Sequence, residues 1–166
     1  MSGKPRIAFQ GALGAFSHEA CLALLPGAEP TPYPSFDDAF AAVLTGACAL
    51  ALIPSQNTIA GPVPEVAPLL ASSGLAVLAE HPWPIRMQLM GVPGGSLAEV
   101  RTVASHPMAL KQCGLFLRDH GYAAEAAYDT AGAAAELAVS PDRTRAVVAA
   151  AAAAELYGLQ VLAADV

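Results

Sequence analysis

Short apolar runs alternate with helix-patterned segments along almost all of this 166-residue chain, and small polar residues gather where a run gives way to a helix. That order limits the chain to the α/β class, because alternating the two periodicities lays helices over a largely parallel sheet. Residues 6–9 predict a strand, followed by a Gly11-Ala12-Leu13-Gly14 turn and a helix capped near Ser17, with Glu19 complementing its dipole. A short strand at 31–33 precedes a helix capped by Ser35, with Phe36, Ala39, Phe40 and Val43 on one face. The continuous apolar run 47–53 predicts a parallel strand covered on both faces. A helix over 64–70 and a strand over 75–79 follow. His81-Pro82-Trp83-Pro84 then enforces extended backbone, since each proline excludes its predecessor from the helical region. Alternation over 85–92 predicts an antiparallel or half-exposed strand. Beyond it come strand 101–104, helix 107–119, strand 123–127, helix 130–138, strand 145–149, helix 150–157 and strand 159–163.

The rigid Pro-Trp-Pro break between two alternating sets predicts two lobes with a cleft between them. Residues 1–80 with 159–166 form one lobe and 81–158 the other. Ligands of such folds bind at the carboxyl ends of strands. Three polar stretches lie there: Gln56-Asn57-Thr58, Ser105-His106-Pro107 and Asp129-Thr130-Ala131-Gly132. Each combines small hydroxyl, amide or capping side chains with the free N–H groups of a strand end or first helical turn, a combination suited to a small anion. Gln112 lies two helical turns beyond Ser105, so both can point the same way.

Composition narrows the function. The chain is 55% hydrophobic and 13% charged, enough to build a buried core. Eight basic against fourteen acidic residues give a net charge of −6, and the cations are scattered, which disfavours nucleic-acid binding. No apolar run suits a membrane span, and the N-terminus lacks the pattern of a signal peptide, so the cytoplasm is the expected compartment. Cys21, Cys48 and Cys113 are isolated and read as buried packing residues. His18, His81, His106 and His120 have no metal-ligand spacing, so neither metal nor cofactor is expected.

Taken in order, several segments resemble the catalytic domain of the prephenate dehydratase family. They are Phe9-Gln10-Gly11-Ala12-Leu13-Gly14-Ala15-Phe16-Ser17, Phe36-Asp37-Asp38-Ala39-Phe40, Ile53-Pro54-x-x-Asn57-Thr58-x-Ala60-Gly61, Ser105-His106-Pro107-x-Ala109-Leu110-x-Gln112-Cys113, Asp129-Thr130-Ala131-Gly132-Ala133-Ala134 and Ala153-x-x-Leu156-Tyr157-Gly158-Leu159. The resemblance implies a two-lobed fold like type II periplasmic binding proteins. It also implies conversion of prephenate to phenylpyruvate, carbon dioxide and water without a cofactor, in a homo-oligomer, typically a dimer. Carried over by residue, Asn57, Thr58, Ser105, Gln112 and Thr130 become the catalytic candidates. Ser17, Gln56, His106, Asp129, Ala131 and Gly132 become substrate-binding candidates. Gln56 replaces the family's usual glutamate, and Pro62 follows Gly61 where a polar residue is common. The chain stops at Val166, before the family's Thr-Arg-Phe motif, which implies weak turnover. A non-aromatising prephenate decarboxylase and a non-catalytic anion-binding module are the alternatives.

Overall fold

The computed structural model describes residues 3–59 and 61–166; Ala60 of the Asn57-Thr58-x-Ala60-Gly61 segment lies outside them. The chain divides into two compact units. The first runs to Ala12 and from Ser17 to Trp83, and the second comprises Leu13–Phe16 and Pro84–Val166. The expected boundary at 80 therefore falls three residues later, and the Gly14 turn belongs to the second unit.

In order, the elements up to Trp83 are β1 (Arg6–Gln10), α1 (Phe16–Leu24), β2 (Glu29–Tyr33), α2 (Phe36–Leu44), β3 (Leu50–Ala51), β4 (Gln56–Asn57), β5 (Gly61–Pro62) and α3 (Val66–Ser73). β2, β1 and β3 form a parallel sheet in that order. β1 occupies its centre because Ile7, Ala8 and Phe9 are apolar on both faces: Ile7 and Phe9 pack with Cys21, Leu50 and Leu52, whereas Ala8 packs with Ala39, Ala42, Cys48, Ala51 and Ile53. The same alternation explains the uninterrupted apolar run after Ala47, whose successive side chains enter opposite clusters. Its ladder is only two residues long and its side chains are half-buried, because β3 ends the sheet order instead of lying inside it. α2 begins as expected, with Ser35 Oγ accepting the Asp38 N–H at 3.1 Å. Ser17 is the second residue of α1 and not its cap, and Pro64 precedes α3 instead of opening it. The expected strand at 75–79 is irregular, and its Val77 and Leu78 are 56% and 76% exposed. Propensity alone does not make a strand where no neighbouring ladder receives it.

The second unit adds β6 (Gln88–Gly91), β7 (Thr102–Ser105), α4 (Pro107–Gln112), α5 (Gly114–His120), β8 (Ala123–Ala126), α6 (Thr130–Val139), β9 (Arg145–Ala149), α7 (Ala151–Tyr157) and β10 (Gln160–Ala163). Its sheet has the order β10-β6-β9-β7-β8, with β7, β8 and β9 parallel and β6 antiparallel to both its neighbours. β6 is antiparallel as expected but not half-exposed: all four of its residues are buried, because it lies inside the sheet. β10, expected in the first lobe, pairs with β6 in this unit. Alternate residues of β9 again serve two cores. Val147 and Ala149 meet Ala133, Ala134 and Leu137 of α6 and Ala153 of α7, while Ala146 and Val148 join the cluster of Ala109, Leu110, Cys113 and Leu117. The expected helix 107–119 is broken at Cys113, whose ψ of 6° ends α4 as its thiol turns toward Met87 Sδ at 3.3 Å. All three cysteines are buried free thiols, and burial pushes Cys21 up to about 11.

Candidate functional site

Parallel pairing of β7, β8 and β9 places their carboxyl ends on one edge of the second unit's sheet, where α4, α6 and α7 begin. Short bonds tie the strand ends together. The Ala127 N–H donates to the Ser105 carbonyl at 2.8 Å, and Ser105 Oγ donates to the Val148 carbonyl at 2.6 Å. Ser105 is fully buried by this arrangement. Gln112, expected to share its direction, instead lines a hollow of about 420 Å³ with Ile85, Arg86, Met87, Asp165 and Val166. The structure therefore puts Ser105 and Gln112 on the same helix-strand junction but turns them to different surroundings.

All three polar stretches fold back onto their own backbone. Asn57 Oδ1 accepts the Ile59 N–H at 2.8 Å, His106 Nδ1 accepts the Met108 N–H at 3.1 Å, and Asp129 Oδ1 accepts the Gly132 N–H at 2.5 Å. These are local caps of the kind that Asn, Asp and histidine make at turns and first helical turns. Pro107 at the start of α4 has no N–H to offer, so the cap and the proline together account for its first donors. His106 accepts through Nδ1, which leaves Nε2 as the ring's donor. Gly132 is small for a specific reason: a Cβ there would lie 3.1 and 3.2 Å from the Asp129 carboxylate oxygens. A side chain at that position would push the carboxylate off the α6 terminus. Thr130 and Asp129 are half-buried, Ala131 is buried, and Asp129 and Gly132 line a hollow of about 290 Å³ with Glu125, Tyr128, Glu136 and Arg145. Arg145 is held by Glu125 at 2.8 Å and Glu136 at 3.3 Å, so the one cation of this hollow is already balanced.

The other candidates belong to the first unit. Gln56 and Asn57 form β4, which pairs with β5 across the Thr58 turn; Gln56 and Thr58 are exposed and Asn57 half-buried. Ser17 is half-buried within α1. Next to it, His18 stacks on Phe9 with ring centroids 5.7 Å apart. Burial lowers its pKa from the ordinary histidine value. A depressed histidine pKa supplies stability that is present above about pH 6.5 and is lost as pH falls from there through the folded-state value. His18→Phe is therefore expected to flatten the fall in Tm between pH 7 and pH 5. An unchanged slope would remove His18 as its source.

Tyr157 was not among the residues picked from the sequence as site candidates. Its hydroxyl donates to the Leu13 carbonyl at 3.1 Å, and its ring packs against Gly14. Burial, and secondarily the negative charge of Asp129, raise its pKa above the ordinary tyrosine value. Tyr157 thus joins the glycine turn to the neighbourhood of Asp129. Its place in the Leu156-Tyr157-Gly158 segment was the available signal.

The prephenate dehydratase family model matches residues 7–166. The chain belongs to the prephenate dehydratase family. It is 38% identical over 162 residues to a bifunctional N-acyl-homoserine lactone acylase/prephenate dehydratase of Komagataeibacter europaeus, covering 98% of this chain and 58% of that protein. It is 39% identical over 160 residues to arogenate dehydratase 1 of Petunia hybrida, covering 95% of this chain and 38% of that protein. The fold superposes on the prephenate dehydratase of Arthrobacter aurescens, solved with L-Phe, with a TM-score of 0.82 and 25% identity, over 96% of this chain and 55% of that one. This prephenate dehydratase-family chain spans less than two thirds of the length of these relatives. No helix among the described residues is long and apolar enough to cross a membrane.

Proposed function

We propose that the chain catalyses the decarboxylative dehydration of prephenate to phenylpyruvate, with Asn57, Thr58, Gln112 and Thr130 as substrate-contacting groups, the buried Ser105 hydroxyl fixing the end of β7 through its bond to Val148, and Ser17, Gln56, His106, Asp129, Ala131 and Gly132 shaping their surroundings. One observation supports this reading above the others. The family match runs through both units, and the polar groups at the strand ends are, apart from the Asp129 carboxylate, uncharged donors and acceptors, with Arg145 held by two glutamates.

Neutral contacts suit the reaction. The C–C bond to the ring carboxylate breaks to release carbon dioxide, its electron pair enters the ring, and the C4 hydroxyl leaves with a proton as water. A strong cation on the ring carboxylate would stabilise the ground state that must be lost. Hydroxyl and amide donors can hold the pyruvyl carboxylate, which survives, and one donor must protonate the departing hydroxyl. Aromatisation supplies the driving force, so orientation is the protein's main contribution. Arogenate differs only in carrying an amino acid in place of the keto acid, and the Petunia relative is named for it.

The test is product analysis after incubation with prephenate and, separately, arogenate near neutral pH. Phenylpyruvate formed above the spontaneous background supports the reading, and phenylalanine formed faster from arogenate would shift it to that substrate. A dihydro-hydroxyphenylpyruvate product would make the chain a decarboxylase. Binding without turnover would make it an anion-binding module.

A further inference from the structure

The arginines of this chain are engaged to different degrees. Arg6, Arg101, Arg143 and Arg145 each donate to a hydroxyl, carbonyl or carboxylate oxygen within 3.3 Å. Among the described residues, the side chains of Arg86 and Arg118 have only loose ion pairs, at 3.6 Å to Asp165 and 3.9 Å to Asp119. Arg118 stands exposed on α5, whereas Arg86 lines the hollow of about 420 Å³ that also holds Gln112. A hollow of that size suits a small molecule.

Strand direction sets this hollow on the ligand-binding edge of the sheet. β6 is antiparallel to β9, so Gln88 at its amino end pairs with Ala149 at the carboxyl end of β9. Arg86, two residues earlier, therefore reaches the edge where β7 and β9 end. Beyond β10, the Val166 N–H donates to the Met87 carbonyl at 3.0 Å and brings Asp165 beside Arg86. The Asp165 carboxylate is shared: Gln88 Nε2 donates to Oδ1 at 3.2 Å, and Arg86 faces Oδ2 at 3.6 Å. That second distance exceeds a charge-assisted hydrogen bond, and both side chains are more than half exposed, so the pair holds Arg86 weakly. The Gln112 amide likewise makes no hydrogen bond among the described residues. Two donor side chains thus face one hollow without a firm acceptor.

We propose that Arg86 is the carboxylate-binding residue of this hollow, holding the pyruvyl carboxylate that prephenate keeps as it becomes phenylpyruvate; the substrate rests on the dehydratase reading. The guanidinium fork matches the two carboxylate oxygens, and Gln112 adds a neutral donor. Ile85 and Met87 supply an apolar wall. Asp165 acts as an internal competitor for the guanidinium, and it keeps its bond to Gln88 when a ligand displaces it. A cation here does not oppose loss of carbon dioxide, because the carboxylate it holds is not the one that leaves. Arg86 therefore binds substrate and transition state alike, which lowers KM without raising kcat.

The test is calorimetric titration of the chain and two variants with phenylpyruvate and with its uncharged methyl ester, alongside steady-state kinetics on prephenate. The parent is expected to bind phenylpyruvate, and Arg86→Gln to weaken that binding about tenfold while leaving the ester unaffected. Asp165→Asn removes the competing charge and is expected to tighten phenylpyruvate about threefold. In the kinetics, Arg86→Gln is expected to raise KM about tenfold and change kcat far less, a split that general loss of structure would not give. Equal affinity of parent and Arg86→Gln for phenylpyruvate, weaker binding by Asp165→Asn, or a fall in kcat at unchanged KM would each overturn the proposal. Phenylpyruvate formed from prephenate as well by Arg86→Gln as by the parent would sink this assignment and leave the dehydratase reading standing. Binding that depends on Arg86, without turnover of prephenate, would sink the dehydratase reading and leave the assignment.

Discussion

Gly14→Val is expected to destabilise the second unit by about 3 kcal/mol, a sum of backbone strain and overpacking. Gly14 has φ +90°, a conformation that L side chains rarely adopt. A Cβ there would also stand 3.2 Å from the Tyr157 ring and 3.3 Å from the Ala153 Cα. The ring could swing away only by giving up its bond to the Leu13 carbonyl, and the Ala153 backbone sits in the all-alanine turn of α7, which is packed against β9. Neither neighbour can yield cheaply. Urea unfolding checks this, with Gly14→Ala as the milder companion. A loss below about 0.5 kcal/mol for the valine variant, the range of an ordinary surface change, would show that the turn is not held as described.

Phe9→Ala is expected to cost about 3–5 kcal/mol, the range for removing a fully buried aromatic side chain. Phe9 is completely buried and heads the largest fully buried side chains among the described residues. Among the described residues its cluster holds Ile7 and Cys21 as the other fully buried members, with half-buried Leu25, Ala28, Leu50 and Leu52 around them, and the second cluster of that sheet is built mostly from alanine and cysteine. So small a core has little to collapse into the gap. The second unit keeps its own clusters on both faces of a five-stranded sheet. Native-state hydrogen exchange should therefore show protection lost from β1, β2 and α2 and retained in β9 and α6. Equal loss everywhere would mean that the two units unfold as one.

Most of the element order was legible because it rests on local chemistry. Ser35 and Asp129 cap helices from their own hydroxyl or carboxylate, Pro107 can occupy only a first turn, and apolar runs such as that of β9 reflect strands with two packed faces. The misplaced features depend on neighbours far along the chain. Strand 75–79 had the right residues but acquired no ladder. For β6 the sequence left antiparallel and half-exposed open as alternatives, and only its place between β9 and β10 selects the first. β10 was assigned to the wrong unit because only pairing with β6 decides where it lies.

The candidate site divides the same way. The polar stretches at strand ends were readable from residue types and spacing, since small polar and capping residues gather at tight junctions and first helical turns, and the family was readable as a resemblance of whole segments. The direction of each side chain was not. Ser105 turns into the sheet toward Val148, Gln112 lines a hollow together with Arg86 and Asp165, and Tyr157 reaches back across the chain to Leu13. Spacing along a helix or strand states which residues share an element's face. Only the packed neighbours, brought together from distant parts of the chain, provide the acceptor that settles where a hydroxyl or amide points.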